Sequence, residues 1–147
     1  MPIMKDVFDL IGRILIAAYF YYEAYDSTVF FEATMHTMKE YNLTWKPEFL
    51  LIFTIVFLII GATMILIGYR TSLGAIFLLG YLLPVTIIVY SFWNDPAETR
   101  RFHGFMFMKN LAIAGSLLYV ISHREGRFRL RRLFQAAKIS RPDWKKI

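Results

Sequence analysis

The sequence predicts an all-α membrane protein: four transmembrane helices in an antiparallel bundle, an extracytoplasmic amphipathic helix between the first two spans, and a basic C-terminal surface helix. Three observations predict this. Hydrophobic residues make up 57% of the 147 positions, with a mean hydropathy of +0.46, above the roughly one half usual for soluble domains. Four apolar runs, residues 7–25, 49–69, 72–92 and 105–122, each approach the ~20 residues a helix needs to cross ~30 Å of hydrocarbon. Charge is segregated as well: from His123 onward there are nine Lys/Arg against two Asp/Glu, and before it eight against nine. Residues 1–122 therefore read as the transmembrane domain and 123–147 as a basic cytoplasmic tail.

The first run carries Asp9, Arg13 and Glu23 and is followed by no small-residue cleavage site, so it reads as a spanning helix and not as a cleaved signal. Runs two and three are separated only by Arg70 and Thr71, which predicts an antiparallel helical hairpin with Arg70 at its tip. With four spans the termini share one side. Lys5, Arg70 and the tail then lie in the cytoplasm and Lys39, Lys46, Arg100 and Arg101 opposite, the bias expected of positive-inside topology.

Between the first two runs lies "DSTVFFEATMHTMKEYNLTWKPE", too polar to cross and too long for a turn. At 100° per residue Phe30, Phe31, Thr34, Met35, Met38 and Tyr41 share one face, and Glu32, His36, Lys39 and Glu40 the other. This predicts a helix lying in the outer interface. Trp45 and Pro47 mark entry to the second span. Pro84 inside the third run predicts a kink, and Gly61, Gly68, Gly74, Gly80 and Gly115 predict close helix approach.

In "SFWNDPAETRRFHG", Asp95, Pro96 and Glu98 have the spacing of a helix start, with Asp95 as cap. The last helix should run from Pro96 to Ser122, leaving Arg100, Arg101 and His103 near water with no special role. Lys109 and Asn110 lie deeper. An ionised side chain at depth costs ~3 kcal/mol on insertion scales and faces a partner or a cavity. Asp9, Arg13 and Glu23 fall within about 80° of one another on the first helix. An ion pair between Glu23 and Lys109 is thus expected, joined by Asn110 and some of Tyr21, Tyr22, Tyr90 and Ser91, with Asp9 and Arg13 paired toward the inner end. Outward snorkelling of Lys109 along its stem is the competing arrangement. In the tail, Leu130, Leu133, Phe134 and Ala137 share a face opposite Arg131, Arg132, Gln135 and Lys138, which suits anionic lipid.

Cysteine is absent, which removes thiol and disulfide chemistry. No Ser/His/Asp arrangement, phosphate loop, metal-ligand spacing or nucleic-acid-reading motif appears. Of the three histidines only His36 and His103 are expected on one side, so a haem pair has little support.

The stretches "GRILIAAYF", "GATMILIGYRTSLGAIFLLG", "SFWNDPAE" and "FMKNLAIAGSLL" resemble the DoxX family of small four-helix membrane proteins. The chain departs from that family's pattern at Glu23, where many relatives have Gly, and at Leu58, near which relatives carry an acidic residue. The resemblance implies an accessory subunit of a bacterial cytoplasmic-membrane complex, in some members linked to quinone-dependent redox chemistry. Such a subunit would supply a docking surface for a membrane or peripheral protein partner and a lateral quinone pocket lined by Arg13, Glu23, Lys109 and Asn110. A non-enzymatic escort or assembly factor for exported proteins is the alternative, and a small transporter the third reading.

Overall fold

A computed structural model describes residues 2–123; the surface helix expected in the basic tail lies outside the described residues. Five α-helices and no strand make up the described residues. They are α1 (Pro2–Val29), α2 (Phe31–Glu40), α3 (Pro47–Ile67), α4 (Thr71–Val89) and α5 (Ala97–Ser122), with a single 3-10 turn, Phe92–Asn94, before the last. Helices α3 and α5, and the stretch Thr71–Asn94 that contains α4, are long and apolar enough to cross a membrane. Helix α1, at 28 residues, has the length but carries charges along it, so three to four helices are candidate spans.

Each long helix buries a narrow stripe. On α1 it is Arg13, Ala17, Phe20, Ala24 and Ser27; on α3 Leu51, Leu58, Ala62 and Ile65; on α4 Ala75, Leu78, Leu82 and Thr86; on α5 Asn110, Ala114 and Leu117. The steps of three, four and seven are those of a left-handed bundle seam. The other faces are exposed and apolar, for example Phe49, Ile52, Phe53, Val56, Ile59 and Ile60 on α3. A helix that is hydrophobic all round yet inward-facing on one stripe only is solvated by lipid. Helix α1 packs on α3, α3 on α4 and α4 on α5, whereas α1 and α5 meet only loosely.

The glycines divide by role. A Cβ on Gly74 would lie 2.8 Å from the Gly61 carbonyl oxygen and 2.9 Å from Met64 Cβ, and one on Gly61 would lie 2.8 Å from Leu78 Cδ2. These two permit the close α3–α4 approach. Gly68 instead ends α3: at φ 73° it is left-handed, and the amides of Gly68 and Tyr69 bond the Ile65 and Met64 carbonyls, a Schellman stop that needs a residue without Cβ strain. Added Cβ atoms at Gly80 and Gly115 meet nothing within 4 Å, so the expected close approach does not occur at them. Arg70, left-handed at φ 46°, turns the hairpin as predicted, and Pro47 opens α3.

The start of α5 corrects the expected capping box. Pro96 occupies the N-cap and no side chain caps the helix. The Asp95 carboxylate is drawn instead to His103 Nδ1, at 2.6 Å, with both side chains about four-fifths buried. A partly buried imidazole is a stronger competitor for a carboxylate than a backbone amide that water can still reach. His103, expected to idle near water, thereby ties the α4–α5 connection to α5, and its ring sits edge-on to Tyr90 at 5.8 Å. Phe92 and Trp93 reinforce the tie, each meeting Phe107 edge-to-face, at 5.5 and 5.8 Å. Asp95→Ala should lower stability by about 1 kcal/mol, read as an earlier thermal midpoint in detergent, with His103→Ala adding little in its background; an additive double variant would show that the pair carries no energy.

Candidate functional site

The expected polar residues are distributed over two places. Arg13, 4% exposed, pairs with Asp9 at 2.9 Å, as the spacing of four predicts. It lies ten residues before Glu23, about 15 Å along the helix, and does not reach the other three.

Glu23 and Lys109 form no ion pair. Tyr19 stands between them. Its hydroxyl donates to Glu23 Oε1 at 2.8 Å and lies 3.5 Å from Asn110 Oδ1, while the Lys109 ammonium sits over its ring, 5.6 Å from the centroid. Lys109 is exposed, half-buried Glu23 keeps the carboxylate inside, and the tyrosine ring offers the cation a π face in place of the acid. The second carboxylate oxygen of Glu23 accepts, at 3.5 Å, from Tyr81 of α4. Of the tyrosines named from sequence, Tyr21 bonds Thr63 at 2.6 Å and so ties α1 to α3. Since the Thr63 hydroxyl proton goes to the Ile59 carbonyl, Tyr21 is the donor. Tyr22 is exposed on Tyr25.

Beyond Glu23 the bundle opens into a cavity of about 590 Å³ between α1, α2, α3 and α4, within the range of small-molecule sites. Glu23, Asp26 and Ser27 line it from α1, Leu51, Thr54 and Phe57 from α3, and Gly80, Tyr81, Pro84 and Ile88 from α4. Pro84 has no amide proton, so the Gly80 carbonyl receives no helical bond from it, and both residues border the space. The predicted kink residue is thus part of the cavity wall.

Helix α2 covers this end of the bundle. Phe30, Thr34, Met38 and Tyr41, four of the six residues assigned from sequence to its apolar face, line the cavity, together with Ala33 and Thr37. The helix buries no residue fully, and Tyr41 pins its end by donating to the Val89 carbonyl at 3.2 Å, an acceptor left over at the end of α4. Tyr41→Phe should therefore raise amide hydrogen exchange across α2 while leaving α3 and α4 unchanged. Exchange unaltered in α2 would mean that apolar contact alone holds the cover.

Three participants escaped the sequence reading: Tyr19, Tyr81 and Asp26. Tyr19 was legible in principle, four residues before Glu23 on the same helical face. Tyr81 was not, because its approach depends on how α4 is rotated against α1. Among the described residues no group of three His, Asp or Glu is placed to hold a metal ion.

Comparison with known proteins bears on this architecture from two sides. A 70-residue stretch is 33% identical to a protein of Schizosaccharomyces pombe named Surfeit locus protein 4 homolog; it takes in 46% of this chain and 23% of that protein. The chain thus spans under a quarter of the length of that curated relative. No solved structure matches significantly. Residues 8–91, from the first turns of α1 to the end of α4, match the DoxX family; they include Arg13, Glu23 and every cavity-lining element, while "FMKNLAIAG" falls beyond them. With more than half of its length matched, the chain belongs to the DoxX family.

Proposed function

We propose that this DoxX-family chain is a non-catalytic membrane subunit that holds an amphipathic ligand in the cavity beneath α2 and docks against a partner protein of the same cytoplasmic membrane. In this reading α1 makes the fourth crossing, both termini are cytoplasmic, the tail rests on anionic lipid, and α2 lies at the outer face. The observation that carries it is the cavity: an apolar chamber in the half of the bundle nearest α2, with Glu23 at its wall and a thin helical cover. Arg13, Glu23, Lys109 and Asn110 serve different parts of this device. Glu23 faces the ligand, Asn110 and Lys109 hold Tyr19 against it, and Arg13 fixes α1 lower down. A quinone head is compatible with the chamber, because Ser27 and Thr54 offer hydroxyl donors to a carbonyl.

The escort reading has its own support in α2. Glu32, His36, Lys39 and Glu40 leave a charged face exposed on the cover, available to an exported protein. Isolation from native membranes in mild detergent tests both readings: the protein is compared with Gly80→Leu, which narrows the cavity from an open position. A small amphiphile, quinone included, retained by the native chain and lost from the variant supports the ligand-holding reading. Exported proteins retained equally by both support the escort. An extract containing no chain-specific molecule and no co-purifying protein overturns the two together.

A further inference from the structure

The cavity wall carries a charge imbalance that the bundle does not neutralise. Glu23 and Asp26, one turn apart on α1, both line it, and no Lys, Arg or His does. Lys109, the cation expected from sequence beside Glu23, lies over the ring of Tyr19 and does not line the cavity. Among the described residues the Asp26 side chain makes no hydrogen bond or ion pair. Glu23 receives two tyrosyl protons, which leaves acceptor capacity on a carboxylate with about four lone-pair sites.

A second observation points the same way. Ser27, 7% exposed, faces the cavity wall and makes no hydrogen bond among the described residues. The helix carbonyl four residues back is the usual refuge of a hydroxyl in an apolar helix; Thr28 uses its own, bonding Ala24 at 2.7 Å, whereas Ser27 makes no such bond to Glu23. Ser27 thus presents an unspent polar group beside two carboxylates. The Gly80 carbonyl, without its usual helical donor because of Pro84, adds a further acceptor. Apart from the hydroxyls of Thr34, Thr37 and Thr54, the rest of the wall is mainly aliphatic and aromatic, with Phe30, Phe53, Phe57 and Tyr81 among it.

We propose that the cavity beneath α2 selects an amphiphile with an ammonium head and an apolar tail. Resting on the ligand-holding reading above, this names the chemistry of the ligand. An ammonium brings three donors to a site rich in acceptors and the countercharge that Glu23 and Asp26 lack. Aromatic faces accept a cation too. A carboxylate or phosphate head would meet like charge in a chamber of low dielectric, where repulsion is screened far less than in water. A neutral head satisfies the hydroxyls but leaves both carboxylates without a partner.

Four probes decide the matter: dodecylammonium, 1-dodecanol, dodecanoate and decylubiquinone, titrated into the full chain in phosphatidylcholine nanodiscs against empty nanodiscs. Dodecylammonium should bind at least about tenfold more tightly than dodecanol, the ratio that one hydrogen bond to a charged group supplies. In a Glu23→Gln, Asp26→Asn double variant that ratio should fall to about one while dodecanol binding is retained. Binding of all four should weaken in Gly80→Leu. Equal affinity for dodecylammonium and dodecanol, tighter binding of dodecanoate, or decylubiquinone bound as tightly as dodecylammonium overturns the head-group inference and leaves the cavity as a ligand site, provided Gly80→Leu still weakens binding. No Gly80-sensitive binding of any probe overturns the ligand-holding reading, and this one with it.

Discussion

Gly74→Leu should abolish the native bundle, while Gly80→Ala and Gly115→Ala leave it within ~1 kcal/mol of the native stability. The contrast comes from what each new side chain meets. At Gly74 the obstruction begins at the first carbon, 2.8 Å from the Gly61 carbonyl oxygen and 2.9 Å from Met64 Cβ. Neither obstacle can rotate away, because one is backbone and the other is fixed to it. Helices α3 and α4 would have to separate, and α4 is packed on both α3 and α5. Overpacking typically costs ~1–3 kcal/mol and more where nothing yields, and leucine adds three carbons beyond the clashing one. Gly61→Ala should be milder than Gly74→Ala: two of its nearest neighbours are side-chain atoms of Leu78, which a rotamer change can shift. The fraction of protein remaining monodisperse after graded heating in detergent ranks the variants. A Gly74→Leu protein as heat-resistant as Gly115→Ala would mean that α3 and α4 do not approach as described.

That ranking was invisible in the sequence, which presents Gly61, Gly68, Gly74, Gly80 and Gly115 as equivalents. Which glycine faces another depends on the rotation of α3 against α4, a tertiary quantity. What was legible was local. The α3–α4 hairpin followed from a link too short for any other path, Pro47 from its fixed φ at a first helical turn, and Asp9–Arg13 from a spacing of four on one helix. The failures share a cause. Asp95 had a local use as a cap and lost it to His103, eight residues on and brought within reach by the first turns of α5. Glu23 and Lys109 match in charge and in depth near the outer ends of their helices, and neither property reveals a ring that stands between them. The cavity was beyond reach for the same reason, since four elements contribute to its wall and no short motif encodes it. Its cover came closest, because the apolar face of α2 repeats with the helical period and four of its six assigned residues do line the space.

The tyrosine between the charges makes the strongest energetic prediction about the site. A double-mutant cycle between Tyr19→Phe and Glu23→Gln should return a coupling of ~1.5–3 kcal/mol, the range for a hydrogen bond to a charged group. The bond is short, 2.8 Å, and partly buried, so water replaces it poorly. Lys109→Met against Glu23→Gln should return less. Lys109 is exposed and its contact is with the ring of Tyr19, at 5.6 Å, an interaction worth ~0.5–1 kcal/mol at exposed sites. Tyr21→Phe against Glu23→Gln should be additive within ~0.5 kcal/mol, because Tyr21 is committed to Thr63 on α3. The order of the three couplings carries the information, since all are measured on one reversible unfolding transition in mixed micelles and share its systematic errors. If Tyr19 dominates, the acid is held by α1's own preceding turn and by Tyr81, and its remaining lone pairs are turned toward the cavity. If Lys109 couples as strongly as Tyr19 or more, the ammonium reaches the carboxylate directly, the wall of the cavity is neutral, and the case for a cationic ligand fails at its premise.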